Sequence, residues 1–229
     1  MFEKASAAAA KAKEHLDAAE TLAAAEMWGQ AYAHLVLALD ESAVMGIEML
    51  TESGIVRWES PPAWFKIRKA DLSRPGTHSA HLRLGLTTAA IRVAFVVPTT
   101  IDVSKPPTEN AEVLAASISA SMADPVPKLF GDPTFLGFLR DGDARRNAAF
   151  YSQPFKPARV PGEADYLGLH KFTRPFVIAM SGPWPTEEEF AVFRPVIEQL
   201  VPQIFQEFQD RKAQIVDSLK RARQHSGGA

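Results

Sequence analysis

The residues best placed to do chemistry are two acids and two arginines. Asp40 and Glu41 fall midway along a stretch that must be largely buried, and a buried carboxylate needs a cationic or hydrogen-bonding partner. Arg145 and Arg146 are the obvious cations to meet them. The alternative is that both acids point to solvent on the polar edge of the helix. His78 and His81 stand three apart and could share a metal ion. Two histidines make a weak site, however, and only Asp71 is near them, so a pair of surface or hydrogen-bonded imidazoles is the commoner outcome. Lys66, Arg68, Lys69, Arg74 and Arg83 make the same region locally basic, behind the aromatics Trp58, Trp64 and Phe65. A phosphate or nucleic-acid patch there competes with solvated charge beside core aromatics, and the latter is the more frequent arrangement. The chain has no glycine-rich phosphate loop, no GxSxG, no HExxH and no cysteine, so the familiar enzyme signatures and all thiolate chemistry are absent.

The element that must position the acids runs from Gln30 to Ser53. At helical spacing Tyr32, Leu35, Val36, Leu39, Ala43, Gly46, Ile47 and Leu50 share one face. A second stripe (His34, Leu37, Glu41, Met45, Glu48) mixes acids and a histidine with apolar groups. So wide an apolar surface predicts a central helix packed against several others, closed by a glycine cap at Gly54 with Ile55 as its apolar contact. Before it, residues from about Ser6 to Trp28 form an alanine-rich helix whose stripe (His15, Leu16, Ala19, Leu22, Ala23, Glu26, Met27) permits close packing. Its small apolar face lacks the large anchors of a surface-binding helix. With Gly29 read as the turn, the two helices form an antiparallel hairpin.

All 17 prolines lie at or after Pro61, and they punctuate the rest of the chain. A helix is predicted from Ala63 or Trp64 to about Arg74, another from Thr77 to Val97, and a weak one from Ala111 to Met122 capped by Asn110 or Thr108. Asp124 to Gly142 reads as irregular, Asp143 as the cap of a short helix reaching Tyr151, and Phe155 to Asp165 as a proline-rich loop. Tyr166 to Met180 reads as a helix broken at Pro175, or a short strand. Thr186 opens a capping box for a last helix reaching about Arg223, with Pro195 and Pro202 kinking it or lying in its first turns and basic residues from Arg211 onward suiting its C-terminal dipole. The expected organisation is one domain over residues 1–225, irregular at about 123–165, with a tail at 226–229 lacking order.

At 229 residues, with 46% hydrophobic and 23% charged residues, the composition is that of an ordinary soluble domain with ample core. Lys plus Arg number 25 against 27 Asp plus Glu, which disfavours a whole-surface nucleic-acid binder but leaves room for a compact basic site. The N-terminus lacks a signal-peptide h-region, and no apolar run reaches membrane-spanning length, so no membrane association and a cytoplasmic location are the default expectations.

The hairpin AAETLAAAEMWGQAYAHLVLALDESAVMGIEML resembles the opening of HEPN-domain proteins of the AbiV type, associated with bacterial abortive infection. The likeness rests on an alanine/leucine helix, a turn, and Ala38-Leu39-Asp40-Glu41; Ala43 and Val44 stand where that family has glycine and lysine. Arg146-Asn147-Ala148-Ala149-Phe150-Tyr151 is similar to a second family segment, and Phe65 to His81 loosely to a third. The resemblance implies an all-α, HEPN-like antiparallel helical bundle with a proline-rich irregular insertion, a homodimer, and membership of a superfamily with many metal-independent ribonucleases active in defence or as toxins. The superfamily motif is arginine, a polar residue, three variable residues and histidine. Arg146 and Asn147 fit its first half, but Tyr151 replaces the histidine. Histidine titrates near neutrality, whereas tyrosine, with a pKa of about 10, is a poor base at pH 7.

On this reading Arg146 clamps phosphate, Tyr151 contacts ribose or base, Glu41 and Asp40 orient the arginine, and Arg145 and Asn147 complete the substrate contacts, with no cofactor and no metal. Arg74 with His81 is the rival pair. The partners are RNA or a nucleotide; the alternative is a non-catalytic helical module that binds a protein. A metal enzyme built on His78 and His81 is the third and most distant possibility.

Overall fold

The structure is a computed structural model and describes residues 2–63, 65, 133–150 and 159–181, with single positions among 109–116 and 184–206. Four helices organise it: α1 (Glu3–Ala24), α2 (Trp28–Glu52), α3 (Pro133–Phe150) and α4 (Glu163–Ser181). No strand occurs among the described residues, in keeping with an all-α chain. None of these helices is long and apolar enough to cross a membrane.

The stripe from Tyr32 to Leu50 is buried throughout, and no residue of α2 is exposed. Most half-buried positions of α2 (Gln30, His34, Leu37, Glu41, Val44, Glu48, Thr51) recur at three- and four-residue steps, which draws a seam along the helix, with Trp28, Asp40 and Glu52 half-buried beside it. Helix α1 lies antiparallel to α2, packing Ala5, Ala8, Ala9, Ala12, Leu16 and Ala19 inward. Alanine at these positions lets the two backbones come close. Helix α3 runs antiparallel to α2, since Arg146 meets Asp40 while Phe150 meets His34. Helix α4 runs parallel to α2, its Tyr166 against Trp28 and its Met180 among Met45, Leu50 and Val56. The buried side chains form two groups, one around Leu16, Leu35, Phe138 and Leu169, the other around Phe2, Ile47, Met180 and Phe190. Helix α2 belongs to both.

The hairpin closes by means that differ from the expected ones. Helix α1 starts at Glu3 rather than Ser6 because a cap reaches it from the far end of α2. Glu52 accepts the Lys4 and Ala5 amides at 2.9 and 3.1 Å, and a carboxylate there also suits the helix dipole. The turn is Ala25–Met27, not Gly29. The Glu26 amide returns to the Ala23 carbonyl and the Met27 amide to that of Leu22, both at 2.9 Å, a Schellman closure in which Glu26 takes the left-handed position (φ 58°) usually given to glycine. Gly29 instead lies in the first turn of α2, where a Cβ would stand 2.9 Å from Val160 Cγ1 and 3.6 Å from Ala149 Cβ. Its smallness admits α3 and the segment before α4. Gly54 (φ 73°) does end α2 as expected, with Ile55 packed on the core and the Val56 amide bonded to Leu50.

The largest correction concerns the irregular segment at about 123–165, because residues 133–150 form one helix and α4 already begins at Glu163. Pro133 occupies the first position of α3, where its missing N–H would have no partner in any case. Gly142 sits inside α3 against the buried ring of Phe138, 2.8 Å from where a Cβ would be. Asp143 is therefore an interior residue and not a cap. Helix α4 likewise continues through Pro175. Lys171, whose carbonyl loses the proline's N–H, is exposed, as is Pro175 itself, so water can satisfy it. Glu109 is already helical, which removes Asn110 as the cap of that helix. The Phe190 amide bonds the Thr186 carbonyl at 2.9 Å, as an N-cap at Thr186 requires, and Pro195 and Pro202 both occupy helical positions. Ala63 lies in a turn and Phe65 is not helical, its amide bonding the Pro62 carbonyl at 2.8 Å, so the helix expected from Ala63 or Trp64 has not begun there. The rest of that helix, the one expected over 77–97 and the tail at 226–229 lie outside the described residues.

Two substitutions test these closures by urea denaturation. Glu26→Gly relieves the left-handed strain and is expected to stabilise the fold by about 0.5–1 kcal/mol. Gly142→Ala gains helix propensity but displaces the Phe138 ring, and is expected to destabilise by about 1–3 kcal/mol; a stabilised variant would show that the ring has room to move.

Candidate functional site

Helices α2 and α3 bring Asp40 and Arg146 together. Arg146 Nη1 donates to Asp40 Oδ2 at 3.2 Å, and Nη2 pairs with Asp143 Oδ1 at 2.8 Å one turn earlier on α3. All three side chains are about four-fifths shielded, at 19–24% exposure. The guanidinium is thus oriented by one carboxylate from the central helix and a second from its own. Asn147 follows it and is half-buried. Among the described residues Glu41 makes no ion pair with Arg146 and instead faces Lys11, with Nζ 3.9 Å away. Burial pushes the Glu41 carboxyl above its ordinary pKa, with Lys11 opposing.

Arg145 turns the other way. Its Nη1 donates to Asp165 Oδ1 at 2.7 Å, and its charge acts on Tyr32, whose phenol burial drives up to about 12 while Arg145 opposes the rise. Asp165 Oδ2 accepts from the Gly162 amide at 3.0 Å and from Arg159 at 3.2 Å. Asp165 is the third residue of α4 and reaches back to the residue preceding the helix, one half of a capping box. One carboxylate therefore starts α4 and binds α3 through Arg145, whose charge also acts on the buried tyrosine of α2. Burial alone would raise its pKa, but the Gly162 amide, Arg145 and Arg159 outweigh this and hold it below the ordinary value. The structure thus places Arg145 in a framework contact, at a distance from the role in substrate binding that the sequence suggested.

Two polar contacts were not legible in the sequence. His15 of α1 and His34 of α2 approach with Nδ1 atoms 3.2 Å apart, and Phe150 of α3 meets the His34 ring edge-on. Burial lowers the pKa of both imidazoles, with Lys11 adding to the effect at His15 and His15 itself adding to it at His34. The available signal was the hairpin register, since the two histidines lie at similar distances on either side of the turn; placing that turn at Gly29 obscured it. The second contact joins Glu20 of α1 to His170 and Arg174 of α4, at 2.9 and 3.2 Å, with Tyr166 stacked on the His170 ring.

Tyr151, His78, His81 and Arg74 lie outside the described residues, so neither the tyrosine in the motif position nor the rival arginine–histidine pair has a place in this geometry. Among the described residues no group of three or more His, Asp or Glu side chains is arranged to hold a metal ion. Compared with protein-family models, with characterised proteins and with solved structures, the chain matches none.

The Asp165 junction sets a pH dependence. A carboxylate whose folded pKa is depressed contributes stability that is fully present above its unfolded pKa, about 4, and that is lost as pH falls through the folded value. Asp165→Asn is expected to cost about 1–3 kcal/mol near neutrality. The gap between variant and wild type should stay constant from pH 7 to about 5 and narrow below about 4, which parallel denaturation curves would measure.

Proposed function

We propose that this chain is an HEPN-like helical protein of the AbiV type that acts on RNA, as a metal-independent ribonuclease or as an RNA- or nucleotide-binding module in bacterial defence. The observation that carries the reading is the Asp40–Arg146 ion pair. A helix-borne arginine that a carboxylate of the central helix holds in place, beside a half-buried asparagine, is the arrangement the resemblance implies for a phosphate clamp. The guanidinium has five N–H donors, so the contacts to Asp40 and Asp143 do not exhaust it. A phosphate oxygen approaching along the α2 seam would meet a donor fork already oriented, and charge developing on that oxygen would be stabilised without reorganisation. Tyr151 would contact the ribose or the base. Glu41, facing Lys11, contributes only to the field at the site.

A second reading is a non-catalytic module that binds a protein partner, and one observation favours it. Arg146 is already balanced by two carboxylates and Arg145 by Asp165, so among the described residues this place carries no surplus positive charge for a polyanion.

Single-stranded RNA binding at several salt concentrations, with cleavage of total RNA and tRNA in EDTA, separates the two readings. On the first, wild type binds with an affinity that falls steeply with salt, and Arg146→Ala lowers the slope of log K against log salt by about 0.7, one single-strand phosphate contact. Arg146→Lys, which keeps the charge, monitors the loss of the Asp40 pair, and thermal unfolding checks that each variant is folded. Absence of RNA binding by wild type even at low salt would discard the first reading in favour of the second.

A further inference from the structure

The His15–His34 contact has hydrogen-bond length, and its geometry also suits two nitrogens that share an ion. The rings are tilted at 48° with centroids 5.3 Å apart, so they are not stacked, and they converge through the same atom, Nδ1, at 3.2 Å. With metal–nitrogen bonds of about 2.0–2.1 Å, two nitrogens at that separation subtend an angle of about 100° at a shared ion. This lies between the right angle of square-planar or octahedral sites and the tetrahedral angle. The ligands come from the interiors of two different helices, α1 and α2, whose backbones are fixed by the packed alanine face between them. Neither nitrogen has to be carried there by a loop.

The surroundings carry charge of both signs, with Lys11 acting most strongly on His15 and Glu14 and Asp40 opposing it. Burial favours the neutral imidazole, the form that ligates. Both histidines are half-buried, so part of each side chain stays within reach of solvent. Among the described residues no third His, Asp or Glu completes a cluster, so these residues supply two ligands and leave the other coordination positions to water or to groups outside them. Imidazole nitrogen selects late first-row ions over magnesium or calcium.

We propose that His15 and His34 form a two-histidine clamp for a divalent late transition ion, Zn(II), Ni(II) or Cu(II), which cross-links the two helices of the hairpin and keeps open coordination positions toward solvent. The inference stands on the hairpin geometry and does not depend on the RNA reading.

The test uses full-length, metal-free protein at pH 7.5. Each of the three ions, with Mg(II) as the negative control, is added in thermal-unfolding and calorimetric titrations. Binding to the folded state at ten times the dissociation constant favours folded over unfolded protein about elevenfold. The expected result is a rise in Tm with at least one of the three ions, reversed by EDTA, absent with Mg(II), retained in His78→Gln and His81→Gln, and lost in both His15→Gln and His34→Gln together with one calorimetric site. Should the His15 or His34 variants fold poorly, NMR of the wild type decides: Ni(II) or Cu(II) must broaden the His15 and His34 ring resonances at the lowest additions. No stabilisation of wild type, stabilisation that survives both variants, or broadening confined to other histidines would each overturn the clamp and leave an imidazole–imidazole hydrogen bond.

Discussion

The burial of α2 is the constraint on which the other features depend. A helix with no exposed residue must be covered along most of its surface, and α1, α3 and α4 each cover part of it. Its apolar side chains supply both groups of core residues, so the interior is continuous along the helix even though its neighbours differ from end to end. The same burial imposes a condition on each polar group that α2 carries. Ser42 donates its hydroxyl proton to the Ala38 carbonyl at 2.7 Å, Asp40 takes Arg146, and His34 takes His15. Each is a partner found because an unpaired polar group there would cost about 1–3 kcal/mol.

These obligations explain how α3 and α4 are placed. Two adjacent arginines on α3 cannot both face one carboxylate, and here they divide. Arg146 reaches back to the central helix and Arg145 forward to the start of α4. The Asp165 carboxylate then serves a backbone amide and two arginines together, joining a local function, helix initiation, to a long-range one. The hairpin uses the same economy at its other end, where Glu52 closes α2 and caps α1. In both places a carboxylate near a helix terminus is a tertiary contact.

The candidate site lies on the half-open seam of α2, where burial is incomplete and charge can be kept. Its character is mixed, with histidines, acids and arginines in near balance and without a concentrated positive field. A ligand arriving there would have to compete with Asp40 and Asp143 for Arg146, or use the nitrogens of His15 and His34. That balance, and not the mere presence of an arginine, is the property any account of function has to meet.

Much of this was legible in the sequence because it is periodic or local. The inward face of α2, the alanine stripe of α1, the antiparallel hairpin, the cap at Gly54 and the start at Thr186 all follow from side-chain spacing and terminal residues within one turn. The pairing of Arg146 with an acid of α2 could be anticipated on electrostatic grounds, although not which acid: Asp40 and Glu41 are neighbours in sequence, and only the rotation of α2 against α3 decides between them. What the sequence misassigned has the opposite character. Pro133, Gly142 and Pro175 are helix breakers by propensity, yet each is tolerated for a reason outside its own segment: a helix start, a buried ring lying over the glycine, a solvent-facing carbonyl. Glu26 occupies a glycine's conformation because the packed hairpin holds it there. The His15–His34 contact and the cap by Glu52 join residues distant in sequence through the register of the hairpin. Spacing along the chain determined which faces are apolar; the packing of those faces decided which polar groups meet, because a contact between helices depends on rotation and register that no single helix encodes.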